Sequence, residues 1–570
     1  MLESRGNKMS EMHLLRISIL SSAVTCALLT LTAPAVAQTP TFWTDGTDDW
    51  FKVANWSAGI PNSNTDGVID NGGTAMVGTP GAVAVDVDLG FNTASDSGTV
   101  TVDGNGRLSI GLVLGVGVNG NGTFSVTNGG VVSATGPFLG NGCRIGEQAA
   151  SSGTVTVDGR GSTLAIASEL HVGFFGVGTL NITDGGAASC QVAFVGDRPG
   201  SHGTVIVDGA GSTWTNNSNG FVWFIGDAGT GSLTITNGAT VSFNTQATLG
   251  EGPDSHGDVT VDGAGSTWNP GAIMVGDFGS GSLQITNGGA VSSFSDSWIG
   301  YYSSGTVVVD GANSTWNHSG IFVVGNYFTG SLLINNGGTV SVSGDFGCVA
   351  CNSGSQGTLT VSGAASHWSN SDDLFVGGSP PHGAGGTGVL RVNDGGIVEA
   401  ANLTVYSPGT VTGSGLIQTK GGTTIEGTLA PDHTISFSGN LAFSGVTATM
   451  LSNVTPESAD NITVGGAAVL MGRLSVALTG GPFQVGTQYT LLQAGGGLNG
   501  TTFCSISMTF PPNQGFHPEV TYDADHVYLI LEPGEPTPTP APTCTPTATP
   551  RLSPTPRPRP TPRPRLTLPR

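Results

Sequence analysis

Two aspartates on one strand face, Asp86 and Asp88 in Val85-Asp-Val-Asp88, are the first residues whose types and spacing could do chemistry. Side chains two apart on a strand share a face. Paired carboxylates serve glycoside hydrolases when they stand about 5–10 Å apart. No Lys or Arg lies near the pair in sequence, so the calcium site with a basic neighbour that a polysaccharide lyase needs is not written here. Asp372-Asp373, after Asn370, is a second acidic pair, again without basic or histidine companions. Cys348-Val-Ala-Cys351 has half the spacing of a zinc site and lacks the other half. Two buried thiols or a local disulfide fit it better. Ser201-His202-Gly203 and Ser255-His256-Gly257 place a hydroxyl beside an imidazole, but they are equivalent loop positions of a repeat. No Gly-x-Ser-x-Gly elbow precedes a helix.

Catalytic constellations are single insertions, whereas here nearly every acid recurs with a repeat. The chain therefore reads as a non-enzyme, with no catalytic residue, metal ligand or cofactor assigned. A compact cluster of non-repeating Asp with Arg or Lys on one face would instead mark an enzyme, and an exposed aromatic row would mark a glycan binder.

The repeat explains how these residues must be positioned. The phrase Gly153-Thr-Val-Thr-Val-Asp158-Gly159, followed by Gly161-Ser-Thr-Leu164, recurs with Asp103, Asp158, Asp208, Asp262 and Asp310 in the acidic place and Ser362 in the sixth copy, at steps of 55, 50, 54, 48 and 52 residues. A second phrase, Gly231-Ser-Leu-Thr-Ile-Thr-Asn237-Gly238, alternates with it and recurs at Asn128, Asp184, Asn237, Asn287, Asn336 and Asp394. Aligned on their opening glycines the two phrases coincide, and both follow a Val-Gly or Ile-Gly step. The unit is thus a coil of about 25 residues used twice per module. Its apolar residues alternate with Thr or Ser, which is the period of a strand with one face inward. Asn-Gly and Asp-Gly pairs end the strands. One coil cannot bury its apolar side; stacked coils can. These features predict an all-β parallel solenoid. A six-bladed propeller is the rival, and the half-repeat argues against it, because propeller blades need four antiparallel strands with unlike roles.

The repeated Asp falls on every second rung, about 10 Å apart, too far for two to share a calcium. An Asx-type turn bond is the expected role. Outward Thr pairs such as Thr154/Thr156 and Thr358/Thr360 suit an exposed strand face; Ile206 and Val308 interrupt the rows and weaken an ice-binding reading. Trp214, Trp268, Trp316 and Trp368 share one repeat position, where an earlier copy has Leu164. That exchange predicts an interior row. The rival is an exposed rail able to stack on sugar rings, and on that rival these four are the candidate binding residues.

Composition sets the class. Glycine numbers 93 and charged residues are only 10%, with 37% hydrophobic; a disordered acidic chain would be more charged and less apolar. Residues 38–535 hold eight cations, Lys52, Arg107, Arg144, Arg160, Arg198, Arg391, Lys420 and Arg473. So acidic a body excludes a nucleic-acid or anionic-membrane surface there. At the N-terminus, Arg5, Lys8 and Arg16, the apolar run Ile17 to Leu31 and Ala35-Val36-Ala37 have the layout of a secretory signal peptide. No other stretch could cross a membrane as a helix. Export places Cys143, Cys190, Cys348, Cys351, Cys504 and Cys544 where disulfides form, with the pairing left open. The tail, 533–570, holds 14 of the 31 prolines and, in its last twenty residues, six Arg and no acid. It reads as an extended, disordered, proline-rich stalk, either a solvated spacer or a contact to an anionic envelope polymer.

The two phrases resemble the repeat shared by type V secretion (T5SS) passengers and exported PEP-CTERM proteins, over residues 98–400. Gly427-Thr-Leu-Ala-Pro431, Gly439-Asn-Leu441, Asp460-Asn-Ile-Thr-Val-Gly465, Gly472-Arg-Leu474, Tyr489-Thr-Leu-Leu492 and Gly500 to Phe503 resemble the last coils of autotransporter passengers. The resemblance implies a single-stranded right-handed parallel β-helix at the cell surface or outside the cell. The chain departs from both relatives. Nothing after residue 532 could form a membrane barrel, and the tail lacks the apolar span of a PEP-CTERM end. Five segments are expected: a signal peptide, 1–37; an N-terminal cap and first coils, 38–97, with Trp43, Trp50 and Trp56; six modules of two coils, 98–400; passenger-like coils, 401–532; and the tail. The expected function is a secreted or surface, non-catalytic, adhesin-like or structural protein meeting envelope polymers or extracellular glycans. The alternatives are a β-helical carbohydrate-active enzyme and a glycan-binding module.

Overall fold

A computed structural model of the chain describes residues 39–137, 142–216, 222–380, 382–510 and 515–534. The expected signal peptide, the tail beyond Gly534 and Cys544 lie outside the described residues.

The polypeptide winds as a parallel β-solenoid of about 17 turns, with 57% of residues in strands. At about 4.8 Å per rung the stack rises roughly 80 Å. Apart from a 3-10 turn at Val53–Asn55, the described residues hold no helix. One coil shows the plan: Ser152–Asp158 lies in sheet I, Thr163–Ile166 in sheet II and Glu169–Val172 in sheet III. Each strand pairs in parallel with its equivalents one coil before and after, as Thr154 with Thr123 and Thr179. Val155, Val157, Leu164, Ile166, Leu170 and Val172 point inward and are buried. The period-2 alternation thus becomes three apolar walls around one continuous core.

Alternation of the two phrases has a packing cause that the sequence did not disclose. In sheet II the Trp column runs Ala188, Trp214, Val241, Trp268, Val291, Trp316, Val340, Trp368, Val398 in register. A rung spacing of about 4.8 Å leaves no room for a bulky indole on every coil. Large residues on one coil type therefore interleave with small ones on the other.

Polar residues interlock the coils as well. Asp262 Oδ1 accepts from Thr286 Oγ1 and Asn287 Nδ2 of the next coil, both at 2.6 Å. Asp103, Asp208 and Asp310 reach Asn128, Asn237 and Asn336 likewise, and Asp158 reaches Thr183. From the other side, Ser266 Oγ accepts from Gly238 N of the preceding coil at 3.0 Å, as Ser314 does from Gly288. Each Asp-Gly-x-x-Ser coil thus grips the Asn-Gly or Asp-Gly coils on both sides of it. This corrects the expected Asx-type turn: the carboxylate bonds across the stack because Thr and Asn of the next coil stand in register with it. In the sixth copy the polarity reverses, and Ser362 Oγ donates to Asp394 Oδ2 at 2.9 Å. Asp262→Ala is expected to cost about 1.5–3 kcal/mol, as charged hydrogen bonds do. The loss should appear as faster amide exchange in the coils on either side of residue 262 and little elsewhere, since repeats couple to nearest neighbours.

Both ends are closed. Trp43, Trp50 and Trp56 are buried, with edge-on ring contacts of 5.0 and 4.8 Å to Trp56. At the other end Phe516–Tyr522 and His526–Pro533 pair antiparallel, and the latter also pairs antiparallel with Gln488–Ala494. This hairpin, unforeseen in the sequence, covers the strand edge that would otherwise invite another chain.

Candidate functional site

The four tryptophans proposed as a sugar rail are interior: Trp214, Trp268 and Trp316 are 0% exposed and Trp368 is 1%. No ring face reaches solvent, because the Leu164 position points into the core. The row that does reach the surface lies elsewhere, along the outward column of sheet III and the turn that follows it. This strip has three zones.

The first holds a concentration of charge. Arg144, His171, Phe194 and Phe224 follow in register on successive coils. His171 Nδ1 meets Asp197 Oδ2 at 2.6 Å and Nε2 meets Glu169 Oε2 at 3.3 Å. Its ring stacks on Phe194 at 4.8 Å. Burial works against the charged imidazole, but the bonds to Asp197 and Glu169 outweigh it and raise its pKa. Asp227, on the next coil, is pushed up to about 7 by burial and by the charge of Asp197. Arg144 and Arg198 both lie over the Phe174 ring, at 5.3 and 5.2 Å, and each also faces an acid, Glu147 at 2.8 Å and Asp197 at 3.4 Å. This is the compact, non-repeating cluster that would mark an enzyme. Its imidazole, however, has both nitrogens committed to carboxylates, leaving no lone pair for proton abstraction.

In the second zone Met274, Trp298, Val323, Cys348 and Phe375 form an apolar patch outside the main core. Cys348 and Cys351 are joined as a disulfide, one of the two arrangements expected for that pair; Cys143 and Cys190 are free and buried, and burial raises both thiols. Beside the patch, Phe278, Tyr302 and Tyr327 stack at 5.2 and 5.1 Å and stand 48%, 42% and 47% exposed. Successive aromatics after the Val-Gly step, Phe278, Tyr301-Tyr302 and Tyr327-Phe328, were the sequence signal for this ladder.

The third zone is a groove of about 350 Å³ over the coils past residue 400, where Asp373 stands with Asn402, Thr404, Gly421, Gly422, Thr424 and Asn440. Of the acids singled out in the sequence, Asp373 alone lines it. Asp86 is engaged by Val113 N at 2.7 Å, and burial raises both Asp86 and Asp88. Ser255 Oγ donates to Gly252 O at 2.7 Å as a turn bond. Two gatherings the sequence reading missed, Asp432/His433/Asp460 and Asp523/Asp525/His526, are surface loops in which Asp460 and Asp523 accept from the backbone N–H of His433 and His526.

Two histidines give opposite pH responses. His318 is buried and neutral: Trp316 Nε1 donates to Ser293 Oγ, Ser293 Oγ donates to His318 Nδ1, and His318 Nε2 donates to Ile321 O. Burial lowers its pKa to about 4 despite the opposing influence of Ile321 O and Asp296. The stability it confers is present above the unfolded value near 6.5 and is lost as pH falls through about 4. For His171 the folded value is raised, so its contribution is complete below 6.5 and is lost as pH rises through that raised value. Asp227 adds to the same trend, because its raised value penalises folding increasingly between about 4 and 7. From pH 8 to pH 5, amide protection should therefore rise around residues 169–227 and fall around 293–321. Parallel changes in the two regions would contradict the assignment.

No family model matches this chain, and no curated protein does.

Proposed function

We propose that this chain is an exported, non-catalytic β-solenoid, serving as an adhesin-like or structural element of a bacterial surface layer or matrix. The carrying observation is where the polar residues go. Asp, Ser, Thr and Asn of the repeat form clamps between coils, and the charged cluster around His171 is paired within itself. A catalyst needs a group with a free lone pair or a transferable proton held toward substrate. The signal-like N-terminus and the resemblance to type V and PEP-CTERM-associated repeats support export. Among the described residues no helix is long and apolar enough to cross a membrane.

Two measurements on the full chain test this. Size-defined polysaccharides incubated with it should keep their length, and protease added to intact producing cells should remove it. Shortened polysaccharide would sink the non-catalytic reading; a protein shielded from protease would sink the surface one.

A further inference from the structure

The groove over the third zone is built on a break in strand register. Here strand Ile397–Val405 pairs with Leu416–Ile425 across a register break: Ala400 faces Thr419, while Asn402 faces Gly422. Lys420 and Gly421 together oppose the lone Ala401, which is a β-bulge, a device that re-aims side chains beside binding sites. The hollow depends on glycine, because a Cβ at Gly421 would run into Asn402 Oδ1. Ala442, outward on the next coil, keeps the other end low.

We propose that this groove binds a neutral saccharide. The inference rests on the reading of the protein as a non-catalytic surface element and names the ligand class that such an element would hold. At about 350 Å³ the groove falls within the range of roughly 300–1,000 Å³ found for ligand sites. Its polar groups come as donors and acceptors in alternation. Asn402 Nδ2 is tied to Asp373 Oδ1 at 2.7 Å, leaving Asn402 Oδ1 to accept. Asn440 Oδ1 is tied to Ala467 N at 2.9 Å, leaving its NH₂ to donate. Thr404 and Thr424, adjacent in register, can do either. Vicinal hydroxyls of a sugar, each a donor and an acceptor, match such a set. No Lys, Arg or His lines the groove and Asp373 does, so an anionic ligand gains no countercharge from the lining. The single carboxylate, already engaged, is too little for a divalent cation, which takes six or more oxygens. Phe375 precedes Thr404 in the same column and belongs to the apolar patch of the second zone.

Affinity electrophoresis of the full chain in gels containing dextran, galactomannan or xylan tests the proposal, with polygalacturonate as the anionic control. At least one neutral polymer should retard the protein and polygalacturonate should not. Ala442→Phe, which fills the groove from an outward position, should weaken that retardation at least about tenfold in apparent Kd, with an unchanged thermal melt; Asn402→Ala should weaken it too. Tyr302→Ala, on the ladder, should leave it intact. Absence of retardation by every neutral polymer overturns the proposal, as does Ala442→Phe migrating like the parent. Loss in Tyr302→Ala alone moves the site to the ladder and equally overturns it. Polymer length, read after the same incubation, separates the two ideas: shortening overturns the non-catalytic reading, while intact polymer with no binding overturns only the groove.

Discussion

Replacing Trp268 by alanine is expected to remove about 3–5 kcal/mol of stability, the cost of emptying a large aromatic from a packed core. The indole is fully buried and stands between Val241 and Val291 on the adjacent rungs, with Phe243 at 6.4 Å. Neither valine can extend to fill the space, because each is held in a strand of its own coil. Leucine should do far better. Trp268 Nε1 has no hydrogen-bond partner among the described residues, and burying an unmade donor costs about 1–3 kcal/mol. Trp268→Leu gives up packing but also removes that penalty, and Leu164 already serves at the equivalent place. At Trp316 the same change should cost more, since its Nε1 donates to Ser293 Oγ at 3.0 Å and organises the His318 chain. Amide exchange in the coils around residues 240–340 gives the ranking: Trp268→Ala worst, Trp316→Leu next, Trp268→Leu mildest. Equal exchange in the two leucine variants, with Trp268→Ala still worst, would mean that packing, rather than the indole nitrogens, sets the order.

Much of this architecture was legible in the chain because a repeat averages over its own noise. Val155 and Val157 alone are an ambiguous apolar pair. Twelve matching phrases leave only a stacked β-structure, and the buried Trp column follows from the Leu164 exchange. The role of the repeated Asp was misread because spacing along a chain says nothing of register between coils; Asp262 looks like a turn residue until Thr286 and Asn287 are seen beside it. The strip on sheet III was invisible for a related reason. His171, Asp197 and Asp227 lie on three coils, tens of residues apart, and become neighbours only through a rung spacing that the variable loops between them conceal. Asp373 was noticed for the wrong companion, Asp372; its working neighbour is Asn402, one coil on. The groove itself is written mainly by absence, in Gly421, Gly422 and Ala442, and small residues carry little signal in a chain so rich in glycine.

Glycine content is also where the largest single-methyl effect is expected. Gly257 opens a sheet I strand, and its φ is not in the left-handed region, so alanine could adopt the backbone. Space is the obstacle. A Cβ there would lie well inside contact distance of the Ile225 carbonyl oxygen and close to the Gly250 amide nitrogen, both main-chain atoms. Those two atoms are bonded to each other, Gly250 N donating to Ile225 O at 2.9 Å, so the methyl would wedge into a rung-to-rung bond. Backbone cannot rotate away as a side chain can. Gly257→Ala should cost more than about 3 kcal/mol, at the upper end of overpacking effects. Gly200 is the control. Its φ is +80° but nothing stands within 4 Å of a Cβ, so alanine there meets only conformational strain of about 1–2 kcal/mol. Coils couple only to their neighbours, so the Gly257 variant should also fail locally, with protease cutting near residues 250–257 and the flanking stacks surviving as two fragments. Equal stability of the Gly257 and Gly200 variants would show that the coils can part by the width of a methyl, and the close approach of the rungs would then not be what requires glycine at this column.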